Sequence, residues 1–454
     1  MLREVVVNVT NVRYGNVVDV RAINQHLQGG QLDVAGLFPH LERLRRGGPI
    51  FEVDFGLAAL PAEAGVLLVR GPRQYGKSTW LEGQLEATIR SAGPASAFYL
   101  NGDQLADTDA LVAAIRGLVP WFAKHAPVRR LFIDEITAIA NWERGLKQLL
   151  DAGELRDVLL VTTGSRATDL RRGAERLPGR KGRMSRTAFL FTPLSFAEFE
   201  RVCGDRFGED AAIAYMLCGG CPVAAAELAQ HGRLPEHVIE MVRDWVLGEC
   251  AASGRARGSL LAVWNAVLAR GGTPIGQALL ARETGLANNT IAAGYLELLA
   301  DLMCIGSAFA WDPSRRIALR RKAAKFPPIN LLAAVAFDGG RLRSVADWKA
   351  LPPEVQGRWW EWLVAQEIWR RAALRGEQTP EELLFWASGD REIDYVVRPE
   401  LWIEVKRGAA SAMEFAWFAH SFPRAELWIA GRERFAADRV LGLTMAELLR
   451  DPGW

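Results

Sequence analysis

The sequence lacks any apolar run approaching the ~20 residues that a membrane-spanning helix requires. Its opening residues, Met1-Leu2-Arg3-Glu4-Val5, also lack the basic, apolar, small-residue order of a secretory signal. A cytoplasmic protein without a membrane partner is the expectation. Cysteine is scarce, with five in 454 residues. An odd number scattered along a long chain excludes a disulfide framework and suits free thiols in a reducing compartment. Net charge is close to zero, at +2, so contact with nucleic acid must rest on local basic patches. Internal repeats and low-complexity tracts are missing too. What remains is an ordinary globular composition, half apolar and 24% charged. The length exceeds one compact core and suggests about three units at roughly 100–200 residues each.

Val5, Val7 and Val9, then Val18 and Val20, alternate about Arg13-Tyr14-Gly15-Asn16. This period-two pattern predicts a β-hairpin within an N-terminal extension over 1–60. From Gly65 onward short apolar runs (Val66–Val69, Ala97–Leu100, Leu131–Ile133, Val158–Val161, Ala188–Phe191) alternate with helical stretches. That rhythm predicts an α/β core with a parallel sheet over 61–200, followed by a helical lid over 201–255. Helical runs around Ile275–Ala281 and Asn289–Leu299 flank the break Thr284-Gly285-Leu286. With a basic hairpin built from Met303–Ile305 and Ile317–Lys325, they predict a winged helix-turn-helix over 256–340. Pro327-Pro328 and Asp338-Gly339-Gly340 read as a linker into a last α/β unit, 341–454, where helix Glu354–Ala373 precedes strands at Leu384–Trp386, Ile393–Val397, Trp402–Val405 and Leu427–Ile429. Cys218-Gly219-Gly220-Cys221 is a lone CxxC before Pro222; a tight turn is favoured over a zinc or redox site.

Gly71-Pro72-Arg73-Gln74-Tyr75-Gly76-Lys77-Ser78-Thr79 has the chemistry of a phosphate-binding loop. Gly71 and Gly76 permit a backbone whose N–H groups turn inward at a helix N-terminus, Lys77 supplies a point charge for the β- and γ-phosphates, and the Ser78 hydroxyl can ligate magnesium. The flanks agree: Val66–Val69 is strand-like and Thr79–Leu85 opens a helix. ATP with Mg2+ is therefore the expected ligand. Arg130-Leu131-Phe132-Ile133-Asp134-Glu135 then delivers two carboxylates at a strand end. Asp134 is expected to hold the magnesium and Glu135 to polarise the attacking water. Leu160–Ser165 ends in hydroxyls, which makes Thr163, with Ser165 second, the expected γ-phosphate sensor. The basic run Arg166, Arg171, Arg172, Arg176, Arg180, Lys181, Arg183 and Arg186 reads mostly as a solvated face. Arg180 is singled out as an arginine finger, which requires a neighbouring subunit and hence a homo-oligomer.

In the last unit, Asp394 lies on one apolar strand while Glu404 and Lys406 project from one face of the next. Two carboxylates with a lysine can bind a divalent ion, Mg2+ or Mn2+, and orient water toward a phosphodiester. Glu361, on the preceding helix, adds a third carboxylate. The competing reading is a buried ion-pair cluster without chemistry. Trp359, Trp360, Trp362, Trp369, Trp386 and Trp402 read as core aromatics, with base stacking open to an exposed one.

The phosphate loop, Phe132–Ile136 with Trp142-Glu143, Thr163-Gly164-Ser165, Leu177-Pro178-Gly179-Arg180 and Pro193–Phe199 together resemble prokaryotic AAA-type ATPases that carry a C-terminal winged helix and a PD-(D/E)xK nuclease-like domain. The Gly219-Gly220-Cys221-Pro222 turn fits the same family. The resemblance, spanning about residues 60–410, implies a P-loop NTPase sheet, a helical lid, a winged helix and a restriction-endonuclease-like domain. It implies an ATPase coupled to a DNA-binding and DNA-cleaving module. The alternative is a nucleotide-dependent switch or scaffold ATPase whose nuclease-like domain recognises a partner without cutting.

Overall fold

The computed structural model describes residues 6–7, 20–165, 184–451 and 453–454. Two compact units emerge, Met1–Leu194 and Ser195–Trp454. The first begins with strand β1 (Val6–Val7), paired antiparallel with β2 (Phe51–Glu52). The hairpin expected around Arg13–Asn16 lies outside the described residues, and Val20, expected in its second strand, instead opens the helix Val20–Gln28.

Five parallel strands form the sheet of this unit: β3 (Gly65–Arg70), β4 (Ala97–Asn101), β5 (Arg130–Asp134), β6 (Leu159–Gly164) and β7 (Ala188–Leu190), in the order β4-β5-β6-β3-β7. β6 is buried throughout and β3 nearly so. Continuous apolar strands of this kind form where helices cover both faces of a parallel sheet. Helix Thr108–Leu118 shows how the cover is specified: Asp107 accepts a hydrogen bond from the Ala110 N–H at its start, and Leu111, Val112, Ile115 and Leu118 recur at helical spacing to face inward. At the sheet's edge, Asn24 donates to the Tyr99 carbonyl (2.7 Å) and accepts from the Tyr99 N–H (2.8 Å). One side chain thereby occupies edge groups that would otherwise invite another strand.

The second unit opens with helices Phe196–Phe207, Ala211–Cys218, Pro222–His231 and Glu236–Ala252. Between the second and third, Gly219 and Gly220 both take positive φ, and a Cβ on Gly219 would lie 2.5 Å from the Leu332 nitrogen. Cys218 and Cys221 are buried free thiols, pushed above the usual thiol range by desolvation, Cys221 to about 11. The motif is a turn, as expected.

Helices Arg257–Arg270, Gln277–Glu283 and Asn289–Asp301 lead into an antiparallel pair, β8 (Ser307–Asp312) and β9 (Ile317–Ala318). Met303–Ile305 is not the first strand of this hairpin: Met303 takes a positive φ, the strand starts at Ser307, and Ile305 makes only an isolated antiparallel bridge, to Pro328. The expected linker is also corrected. Leu331–Phe337 is a helix buried over Leu331–Ala336, so this apolar segment belongs to the core.

The long helix Pro353–Arg375 buries Trp359, Trp362 and Trp369. After it, β10 (Glu382–Ser388) and β11 (Arg391–Ile393) join β8 and β9 in the order β11-β10-β8-β9, with β8 and β10 parallel. A second sheet follows, β12 (Tyr395–Arg398), β13 (Leu401–Val405), β14 (Glu426–Gly431), β15 (Phe435–Ala437) and β16 (Val440–Thr444), in the order β12-β13-β14-β16-β15. Its core packs Trp402 against Phe418 and Phe422 with Leu427 and Ile429. The tryptophans expected to pack do so.

Candidate functional site

β3 ends at Arg70 and the helix Lys77–Ala92 begins seven residues on. The intervening turn depends on glycine twice. Gly76 caps the helix at φ 104°, and a Cβ on Gly71 would lie 2.7 Å from the Phe191 Cβ. Lys77 is buried, its ammonium donating to the carbonyls of Gly71 (3.0 Å) and Pro72 (2.9 Å). Burial pulls its pKa below the ordinary lysine value, against the opposing pull of Glu135 and Asp134. A charged donor thus stands inside a ring of backbone at a helix N-terminus, the arrangement that receives phosphate oxygens.

The carboxylates meet this loop from the end of β5, which β6 separates from β3. Asp134 is buried, accepts the Thr163 hydroxyl proton at Oδ1 and is hydrogen-bonded by Ser78. Desolvation first, then the charge of Glu135, raises its pKa, and the two hydroxyls offset part of the rise. Glu135 sits at φ 46°, and its Oε2 accepts from both the Ser165 N–H and the Ser165 hydroxyl, each at 3.0 Å. The end of β6 therefore holds both carboxylates of β5. Opposite them Gly102 allows close approach, since a Cβ there would lie 2.3 Å from the Glu135 carbonyl oxygen.

In the second unit the structure gathers Glu361, Asp394, Glu404 and Lys406. The Asp394 N–H donates to Glu404 Oε2 (3.2 Å), and Asp394 Oδ2 accepts from the Val405 N–H (2.9 Å). Lys406 Nζ pairs with Glu404 Oε1 at 2.9 Å. Burial, then the repulsion of Asp394, pushes the Glu404 carboxyl up to about 8; burial and Asp394 likewise hold Glu361 well above the usual carboxylate range. A second lysine joins the cluster. Lys325, almost wholly buried, pairs with Glu392, lies 3.8 Å from Asp394 Oδ1 and sits over the Phe385 ring. Asp394 and Glu404 are thus engaged by backbone and ammonium. Among the described residues no group of three or more His, Cys, Asp or Glu is placed to hold a metal ion. Of the carboxylates expected to hold a C-terminal metal, Asp394 faces Lys325 and Glu404 pairs with Lys406.

Residues 63–200 match the AAA domain family. This segment is an AAA-type ATPase domain of the P-loop class. The chain is also similar to the hemin import ATP-binding protein HmuV of Burkholderia lata, 29% identical over 222 residues that cover 47% of this chain and 76% of that one. Among solved structures it is similar to a Walker-type ATPase of Pyrococcus abyssi (15% identity, TM-score 0.42, covering 60% of this chain and 90% of that one). The ORC1 protein of Aeropyrum pernix, solved in complex with DNA, matches at 16% identity and TM-score 0.32 over 70% of this chain and 91% of that one.

Within the AAA domain the structure brings Lys77, Ser78, Asp134, Glu135, Thr163 and Ser165 together. Arg180 lies outside the described residues. Sequence reasoning missed a buried pair behind the loop. Glu82 accepts from the His40 and Leu41 N–H groups (2.9 and 3.0 Å) and meets the His40 ring nitrogen. Its signal was a glutamate on the inward face of the AAA domain's loop helix, one turn beyond Ser78. Lys325, expected at the end of the basic hairpin, is instead buried beside Asp394. Its flanks, Ala323-Ala324 and Phe326-Pro327, mark a buried lysine.

Proposed function

We propose that the chain is a magnesium-dependent ATPase that couples nucleotide turnover to a DNA-engaging C-terminal module. The observation that carries the ATPase part is the buried contact of Ser78 and Thr163 with Asp134 beside Lys77. Ser78 and Asp134 form an all-oxygen donor set that fits a hard divalent ion. They are the residues that would hold magnesium, which, when bound with ATP, neutralises charge on the β- and γ-phosphates. Lys77 and the N–H groups of 71–79 bind and orient the nucleotide. Glu135, fixed by Ser165, orients the attacking water and draws on its proton. Thr163 senses the γ-phosphate through its bond to Asp134. Arg180 reaches a neighbouring subunit's nucleotide in a homo-oligomer. A reducing, cytoplasmic setting suits five buried free thiols. Among the described residues no helix is long and apolar enough to cross a membrane.

Support for the DNA part is the three-helix array ending in the β8–β9 hairpin, the order of a winged helix-turn-helix. Helix Asn289–Asp301 carries no lysine or arginine, so phosphate contacts fall to the hairpin. There Arg315 pairs with Asp312, Arg316 with Glu400 and Arg320 with Glu382, which leaves Arg321 and Lys322 as exposed cations without an ion pair among the described residues. A second reading, a nucleotide-dependent switch with a catalytically inactive nuclease-like domain, draws on the lysine-compensated carboxylates. Cleavage assays with Mg2+ and Mn2+ on single-stranded, linear and supercoiled DNA, with and without ATP, separate the two. Cutting that is lost in Asp394→Ala and Lys406→Ala supports a nuclease; ATP hydrolysis and DNA binding without cutting support recognition alone.

A further inference from the structure

A cleft of about 600 Å³ lies in the C-terminal unit beside the carboxylate cluster, and Lys406 belongs to both. Its walls include Trp348, Trp360, Arg407 and Arg432. Glu209, Asp210 and Lys349 line it as well, Asp210 and Lys349 bonded to each other at 2.7 Å. Lys406 is paired with Glu404, so against the remaining Glu209 stand two cations, Arg407 and Arg432.

Two features show that this wall is built rather than incidental. Arg407 Nε donates to Gln356 Oε1 at 2.6 Å, and buried Gln356 is anchored through Nε2 to the carbonyls of Trp348, Lys349 and Leu351 at 3.2, 3.2 and 2.9 Å. A guanidinium fixed through one nitrogen keeps its terminal nitrogens for an incoming oxyanion, and they make no hydrogen bond among the described residues. Beside it Trp348 and Trp360 meet edge to face, centroids 5.1 Å apart. Trp348 is buried and supports the half-buried Trp360 from behind. Aromatic surface next to preset cations is what an unpaired nucleotide requires, stacking its base and pairing its phosphate. A duplex keeps its bases inside the stack, and the volume is in the range of a single small-ligand site.

We propose that this cleft binds one unpaired nucleotide of a nucleic-acid strand, its base on Trp360 and its phosphate on Arg407 and Arg432. The inference rests on the reading that the C-terminal unit engages nucleic acid and adds that the strand presented there is single.

The test is fluorescence anisotropy with the full chain at fixed salt, comparing a labelled ten-residue oligothymidylate with a blunt 20-base-pair duplex. Wild type is expected to prefer the single strand. Trp360→Ala and Arg432→Ala should each weaken single-strand binding about tenfold or more, in line with the effect of removing one stacking platform. Duplex binding should be unchanged and Trp360→Phe should restore most of the loss. Arg432 is exposed, so its variant keeps the test valid if Trp360→Ala fails to fold. Equal single-strand affinity in wild type and both variants overturns the cleft proposal while leaving DNA engagement standing. Binding of neither probe overturns both.

Discussion

Thr163 donates its hydroxyl to Asp134 from the strand next door, joining the γ-phosphate sensor proposed for β6 to the magnesium-binding carboxylate proposed for β5. The same hydroxyl oxygen accepts the Glu135 N–H at 3.1 Å. Replacing Thr163 with Val keeps the shape and removes both bonds, leaving Asp134 with Ser78 and the Glu135 N–H (3.2 Å) as its donors, at a cost of about 1–3 kcal/mol for the lost hydrogen bond to a charged group. Thr163→Val should lower kcat strongly with a smaller effect on nucleotide affinity, and Thr163→Ser should recover most activity. Steady-state ATPase kinetics on both variants check this; equal activity in Thr163→Val would remove Thr163 from the mechanism.

Gly102 lies far from the phosphate loop in sequence yet against the backbone of Glu135. A methyl group there meets the Glu135 carbonyl carbon at 2.9 Å and its oxygen at 2.3 Å. Gly102→Ala should displace Glu135 and cost turnover by about a hundredfold, the low end of what a positioned base contributes. Binding of a fluorescent ATP analogue should be nearly unchanged. A variant that hydrolyses ATP at the wild-type rate would show that the two strands' ends separate without consequence.

Glu367 is fully buried between Arg370 and Arg371, which hydrogen-bond it at 2.6–2.8 Å. Burial works to raise its pKa, but the two guanidinium groups outweigh it and the carboxyl is held below the ordinary glutamate value. The unfolded chain therefore binds the proton more readily. The stabilisation is fully present above the unfolded pKa of about 4.3 and is lost as pH falls through the lower folded value. Glu367→Gln leaves two buried arginines without their counter-charge and should destabilise by about 3–5 kcal/mol near neutrality. Thermal melts between pH 3 and pH 7 read both effects; a variant that melts with wild type at pH 7 contradicts them.

The β8–β9 hairpin divides its cations into two classes. Arg316 and Arg320 are held by Glu400 and Glu382, whereas Arg321 and Lys322 make no ion pair among the described residues. If the hairpin touches DNA phosphates, Arg321→Ala and Lys322→Ala should each reduce the log K against log salt slope by about one. Arg320→Ala should change stability more than the slope. Slopes measured from 50 to 200 mM salt that match wild type in every variant would take the hairpin out of any DNA contact.

Much of the AAA domain could be read from residues alone because each signal was local. Four-residue apolar runs marked β3 and β6, paired glycines marked the loop, and adjacent carboxylates marked the end of β5. The bond from Thr163 to Asp134 crosses two strands, and only the sheet order brings it about. The C-terminal unit was less legible for the same reason. Lys325 reads as part of a basic run until the parallel pairing of β8 with β10 carries it beside Asp394. The buried helix Leu331–Phe337 was obscured by the prolines before it and the glycines after it, which mark its ends. Short strands such as β15 and β16 offer few apolar positions each and gain their definition from pairing with each other and with β14.

In the proposed mechanism Lys77 binds the nucleotide while Glu135 serves the chemistry. ATP hydrolysis and equilibrium binding of a fluorescent ATP analogue, measured together with and without Mg2+ on wild type, Lys77→Ala and Glu135→Gln, test it directly. The expected result is magnesium-dependent hydrolysis by wild type, weak binding and no turnover in Lys77→Ala, and full binding with turnover down about a hundredfold or more in Glu135→Gln. Wild-type turnover in Glu135→Gln, or unaltered binding in Lys77→Ala, would contradict it.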